Sequence, residues 1–283
     1  MMLRFAYNTN GCTHHRLDDA IEMIADAGYS GVALSLDVHH FDAFADDYER
    51  HAERLAARLA ALDLAATVDA TGRYVLDPRD PYAPSLIDPT AEGRARRLAF
   101  LERAIRVAAI CGAEAVSFGS GRPKRGASQQ ETGAHLLDGL KQVADLAAAA
   151  GVPAALAPTP GHMVATLDDF KLVRDAVKQM TEAPLALSLD AGHCLLAGGT
   201  DPHAAAKEYA TVLASLSIED VRRPSGDKVA LGDGELDVAA LLAVLQDIDF
   251  DKLIVVGMPT RSHVAHASIP AGLDYVEERL PSD

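Results

Sequence analysis

Eight short apolar runs recur along the chain, and each is followed by an alanine- and leucine-rich stretch with helical spacing. The predicted strands are 3–7 (LRFAY), 31–36 (GVALSL), 65–70 (AATVDA), 114–119 (EAVSFG), 153–157 (PAALA), 185–190 (LALSLD), 214–219 (ASLSIE) and 252–257 (KLIVVG). Helices are predicted over 17–28, 43–63, 91–111, 130–150, 167–180, 203–213, 237–247 and 264–280. Apolar strands that alternate with helices belong to a parallel sheet covered on its faces. Over 283 residues with no low-complexity linker, the pattern predicts one α/β domain spanning 1–283, a (β/α)8 barrel. Such barrels usually run to about 250 residues. A doubly wound open sheet is the weaker reading, because no G-x-G-x-x-G follows the first strand. Gly28, Gly112 and Gly151 stand where helices hand over to strands, the usual place for a left-handed terminator. The stretch 71–90, rich in Pro, Asp and Tyr, is long enough to predict a functional loop or lid.

Charge narrows the partners. Asp and Glu outnumber Lys and Arg by 41 to 26, giving a net charge of -15, which repels nucleic acid and anionic membrane surfaces. Cys12, Cys111 and Cys194 are too far apart for a metal knuckle and too few for a disulfide framework, so a reducing cytoplasm is expected. MMLRFAYNTNG lacks a signal-peptide core, and no run approaches the roughly 20 apolar residues of a membrane span. The expected partner is a small-molecule substrate, with a homodimer left open.

In a (β/α)8 barrel the site lies where the strands end. The first strand is followed by His14 and His15, and the third by Asp69, Arg73 and Tyr74, of which the last two suit an anionic or hydroxylated ligand. The Gly-rich turn after the fourth strand carries Ser120, Arg122, Lys124 and Arg125 and reads either as an anion site or as a solvated loop. The sixth strand delivers Asp190 and then His193, a carboxylate and an imidazole suited to acid-base work or metal binding; a helix-capping Asp with a structural His is the alternative. Glu219, Arg222 and Arg223 follow the seventh strand, and Arg261 and His263 the eighth. Two strand ends are bare: AALAPTPG stops at Ala157, and KLIVVG stops at Gly257.

The segments RLDDA (16–20), RYVLDP (73–78), TLDDF (166–170), LDAGH (189–193), IEDVRR (218–223), GDGELD (232–237) and RSH (261–263) occur in an order that resembles the xylose isomerase-like sugar phosphate isomerase/epimerase family. The resemblance runs from the first strand to the last helix and implies a TIM barrel. It also implies a divalent metal held by two Glu, an Asp and a His, with the glutamates moving a proton between adjacent carbons. Abstraction next to a carbonyl develops enolate charge, which a cation stabilises. Matched to that pattern, the fifth-strand Glu is Ala157, the Asp is Asp190 with His193 following, the seventh segment lacks its His, and the eighth-strand Glu is Gly257. The third-strand Glu falls on Asp69 or Ala70. One clear ligand, or two with His193, is fewer than the three or more such sites need.

The expectation is therefore a repurposed enzyme without metal or other cofactor, an isomerase, epimerase, cyclase or lyase acting on a sugar-derived or specialised metabolite. Asp190, His193, Glu219 and His263 would be its acid-base groups, while His15, Arg73, Tyr74, Ser120, Arg122, Arg222, Arg223 and Arg261 would hold substrate. Ala157 and Gly257 would widen the pocket. Two alternatives stay open: a non-catalytic binding protein, and a metal enzyme with ligands recruited from His14, His15, Asp69 or His263.

Overall fold

A computed structural model describes residues 2–198 and 201–281. Eight parallel strands close into a barrel: β1 (Arg4–Asn8), β2 (Gly31–Ser35), β3 (Ala65–Asp69), β4 (Val116–Phe118), β5 (Ala154–Leu156), β6 (Leu185–Asp190), β7 (Leu213–Ile218) and β8 (Leu253–Val256). Neighbours follow chain order, and β8 closes the ring on β1 with Ala6 opposite Val255. Every predicted strand overlaps one of these.

The helices are α1 (Leu17–Asp26), α2 (Tyr48–Ala61), α3 (Ala91–Cys111), α4 (Gln129–Ala150), α5 (Leu167–Lys178), α6 (Ala191–Ala197), α7 (Pro202–Glu208), α8 (Val238–Asp247) and α9 (Ala265–Glu277). Their ends follow local chemistry. Thr166 and Asp169 form a reciprocal capping box at the start of α5, and Gly112 and Gly151 end α3 and α4 with φ of 61° and 69°. The helix predicted at 203–213 is the shorter α7, started by Asp201 and Pro202, and an unpredicted helix, α6, capped by Asp190, precedes it. No helix among the described residues is long and apolar enough to cross a membrane.

Apolar residues separate into two clusters. The large one contains outward-facing strand residues such as Tyr7, Val32, Leu34, Phe118, Leu187 and Ile218 together with the helix faces above them; full burial of such a side chain is worth roughly 1.5–3 kcal/mol. The small one lies inside the barrel and consists of Ala6, Ala33, Leu253 and Val255, with Ala65 against it. Leu253 and Ala65 begin their strands, so this plug closes the N-terminal end of the barrel. The side chains above it are short, and that leaves room at the other end.

Candidate active site

That room is a cavity of about 640 Å³ opening at the C-terminal ends of the strands. Strand alternation sends every second residue inward, and here the inward positions are hydroxylated: Ser35, Thr67, Ser117, Ser188, Ser215 and Ser217 all line the cavity. Thr67 donates to the Ala115 carbonyl at 3.1 Å. The hydroxyls of Ser117, Ser188, Ser215 and Ser217 face the cavity without a hydrogen-bond partner among the described residues. Register places Ser217 beside both Asp190 and Val255, and Ser188 beside Ser215.

One side of the mouth carries the acidic groups. Asp190, the last residue of β6, accepts the His193 backbone N–H at 3.0 Å and so caps α6. Its second oxygen lies 3.5 Å from His193 Nδ1, and both side chains line the cavity. Capping and site lining therefore coexist in one carboxylate. Burial holds the His193 pKa below its ordinary value, against an upward pull from Asp190. Glu219 follows β7, is only 5% exposed, and forms an ion pair with Lys228. Lys228 is delivered by a small antiparallel hairpin that pairs Val221–Arg222 with Asp227–Lys228.

The bare strand ends behave differently from one another. Ala157 lines the cavity. Gly257 was expected to widen it, and does not: a Cβ there would sit 2.6 Å from Glu219 Oε1, so the neighbouring strand's glutamate already fills the space. Gly119 is covered in the same way by His162, whose Nδ1 would lie 3.0 Å from an added Cβ.

The opposite side carries cations. Arg97 reaches in from α3, donates to the Ala70 carbonyl at 3.0 Å and lies over the Phe100 ring at 5.2 Å. Burial lowers its pKa to about 10, partly offset by Asp69. Asp69 is already engaged, accepting from Asn8 at 3.0 Å and from the Thr71 N–H and hydroxyl at 2.9 and 2.6 Å. Arg73 and Tyr74 line the mouth, with Arg73 over the Tyr82 ring at 5.6 Å. His162 packs edge-on against Tyr82 at 5.1 Å and has both ring nitrogens buried without a partner. Burial first, then Arg122, His193 and Arg97, push its pKa down to about 4.

Of the residues expected to act in catalysis, hold substrate or widen the pocket, Arg73, Tyr74, Ala157, Asp190, His193 and Glu219 meet at this cavity, as does Asp69, which was weighed as a metal ligand. Eight do not line it. His15 turns its Nδ1 into protein, while its carbonyl meets His40 Nε2 at 3.2 Å. Ser120 is fully buried and accepts the Val164 N–H at 3.0 Å. Arg122 stacks at 4.0 Å from the Tyr82 ring centre. Arg222 donates to the Asp233 carbonyl at 2.9 Å, and Arg223 grips Glu235 at 2.9 and 2.7 Å. Arg261 and His263 are exposed on the 3-10 turn Pro259–Val264, and Gly257 is covered by Glu219 as described. Sequence reasoning missed Arg97, His162, Tyr82, Lys228 and the serine floor. The floor had a sequence signal in the alternation of Ser215, Ser217 and Glu219 in SLSIE, and Tyr82 lay within the 71–90 stretch read as a functional loop.

Among the described residues no three His, Cys, Asp or Glu side chains converge in a way that could hold a metal ion. No curated protein matches the chain in sequence. The fold matches that of the E. coli 3-keto-D-glucoside 4-epimerase YcjR, with TM-score 0.77 and 16% identity over 98% of this chain and 100% of the other. It also matches the IolI protein solved with a bound zinc atom, at TM-score 0.75 and 17% identity over 99% and 100%. A third match is the probable 3-DHS dehydratase AsbF of Bacillus anthracis, at TM-score 0.74 and 16% identity over 97% and 99%. At such identities the likeness speaks to fold. The sequence model for the xylose isomerase-like TIM barrel matches residues 17–279, nearly the whole chain, and the chain belongs to that family.

Proposed function

We propose that this family member is a proton-transfer enzyme, an isomerase, epimerase or lyase, that works on a sugar-derived or similarly hydroxylated small molecule without a resident divalent metal. The observation that carries this reading is the pairing at the mouth. Asp190 and His193 stand together over a roomy cavity, while Ala157 and Gly257 offer no donor and Glu219 is committed to Lys228. The residues present do not fit the metal that the fold family implies, since a catalytic ion needs about three protein ligands. Relatives in fold include an enzyme named as a keto-glucoside epimerase, which supports a hydroxylated substrate.

The chemistry follows from the side chains. Burial lowers the His193 pKa against upward pulls from Asp190 and the Pro158 carbonyl, which favours the neutral imidazole as the group that accepts a proton from a carbon next to a carbonyl. Asp190, 3.5 Å from Nδ1, stabilises the imidazolium that forms. Lys228, held by Glu219, places a fixed positive charge where the carbonyl oxygen gains negative charge. In an isomerase the proton then goes to the adjacent carbon as the hydroxyl proton moves to the former carbonyl oxygen, and in a lyase it goes to the departing hydroxyl. In an epimerase a second acid returns a proton to the opposite face of the same carbon.

The test is turnover of a panel of keto sugars and hydroxylated ring acids, followed by proton NMR in D2O. Washed-in deuterium at one carbon is expected, unchanged by chelator, and reduced about 10²- to 10⁴-fold by His193→Gln or Asp190→Asn. A stoichiometric divalent ion whose removal abolishes exchange would overturn the reading.

A further inference from the structure

The cations that line the β3 side of the cavity are built differently from Lys228, which lines the other side. Lys228 is paired with Glu219, Arg223 with Glu235 and Lys124 with Asp88. Arg97 and Arg73 pair with no carboxylate among the described residues, although both line the cavity. The Arg97 guanidinium is drawn out of water and receives only one carbonyl oxygen and an aromatic face. Guanidinium carries five N–H donors, and a buried charge left without a counter-charge is costly. Asp69, whose charge partly steadies Arg97, forms no ion pair with it among the described residues and already accepts from Asn8 and Thr71. His162, close enough for the two cations Arg122 and Arg97 to depress its basicity, keeps two unpartnered nitrogens in the same corner. That corner has donors in excess of acceptors.

We infer that the cavity takes a hydroxylated ligand with one anionic group, a carboxylate or a phosphate, docked on Arg97 and Arg73. Its hydroxyls would then meet the free hydroxyls of Ser117, Ser188, Ser215 and Ser217 in the floor, and its far end would reach Asp190 and His193. This polarity matches the site: cations on one side, a carboxylate and imidazole on the other, and small hydroxylated residues between them. A guanidinium offers the anion two parallel N–H donors, which makes its recognition geometric as well as electrostatic. The substrate class named here rests on the proposed function only for the placement of the reacting end. The anion corner stands on its own geometry.

Calorimetric titration separates the two readings because it needs no turnover. The probes are quinate, a hydroxylated ring carboxylate; myo-inositol, its uncharged counterpart; and myo-inositol 1-phosphate. One anionic probe is expected to bind about 10- to 100-fold more tightly than myo-inositol, the span of a charge-assisted bond. A quinate preference identifies a carboxylate ligand, and an inositol phosphate preference identifies a phosphate. Arg97→Met, which keeps an apolar stem against Phe100, should remove most of that preference, and Arg73→Ala, at an exposed position, should reduce it several-fold. Should Arg97→Met fail to fold, Arg73→Ala carries the test. Asp190→Asn should lose deuterium exchange and keep the anion preference. Equal binding of all three probes, or a preference that survives both arginine variants, overturns the anion site and leaves the proton-transfer reading standing.

Discussion

The loops after β3 and after β7 both reach over the cavity and both are rich in charge, yet they use it in opposite ways. The β7 loop consumes its charges internally. Asp220, 1% exposed, accepts four backbone N–H groups, from Val221 and Leu236 at 3.0 Å, Gly232 at 2.9 Å and Gly234 at 3.0 Å. Arg222, Arg223 and Lys228 all end on acceptors within this loop or at the end of β7. The loop after β3 leaves Arg73 and Tyr74 facing the mouth, with Tyr74 held at a φ of 61° and nearly half exposed. Charge at a strand end thus predicts a ligand site only when the loop itself does not supply the counter-charge.

The largest effect should come from removing the loop's anchor. Asp220→Ala leaves the buried N–H groups of Val221 and Leu236, and the part-buried ones of Gly232 and Gly234, without their acceptor, and a loss of about 3 kcal/mol is expected in urea unfolding. Asp220→Asn, which keeps one carbonyl oxygen, should recover part of it. No side chain fits at Gly234, where an added Cβ would collide with the Asp220 carboxylate, so Gly234→Ala should mimic the loss.

Next in size is Lys228→Met. It strands the Glu219 carboxylate, whose side chain is 6% exposed, without its cation, and about 3 kcal/mol is the expected cost. The double variant Lys228→Met with Glu219→Gln should restore most of the stability, since neither charge is then left alone. If the single variant unfolds no more easily than the parent, Glu219 is not the buried, paired carboxylate described here.

His162, in the cation corner, tests that corner's electrostatics through pH. Its folded pKa, about 4, lies below the ordinary 6.5, so the unfolded chain binds more protons between these values. Stability should therefore fall as pH drops from about 6.5 towards 4, by about 2 kcal/mol at pH 5. His162→Gln should flatten that part of the profile, as read from urea midpoints at pH 7 and 5.

Much of the barrel was legible because its signals are local. Short apolar runs between helical stretches marked the strands, and glycines after α3 and α4 marked the helix ends. Asp190, His193 and Glu219 were legible because a barrel brings strand ends together wherever they lie in sequence. What failed was volume and pairing. Gly257 read as empty space, but whether space is empty depends on the rotamer of the neighbouring strand's Glu219. Arg97 was invisible because it comes from the interior of α3, where an arginine looks like any solvated helix residue. Lys228 needed a hairpin too short to announce itself, and His162 lay five residues beyond Ala157, in a loop with no periodicity.

The smallest effect is the one that isolates the comparison. Arg223 and Arg73 are both exposed arginines on loops at the mouth, and neither should matter to stability: exposed ion pairs contribute little, and Arg73 has no carboxylate partner to lose. Arg223→Ala should leave both the melting midpoint and deuterium exchange unchanged, because its guanidinium is closed on Glu235 within its own loop. Arg73→Ala should also leave the melting midpoint in place while weakening capture of an anionic probe. Two substitutions of the same chemistry, silent in stability and different only in binding, separate a charge that builds a loop from one that waits for a ligand. If Arg223→Ala weakens binding as much as Arg73→Ala, long-range charge governs capture, and the internal pairing of the β7 loop does not shield it.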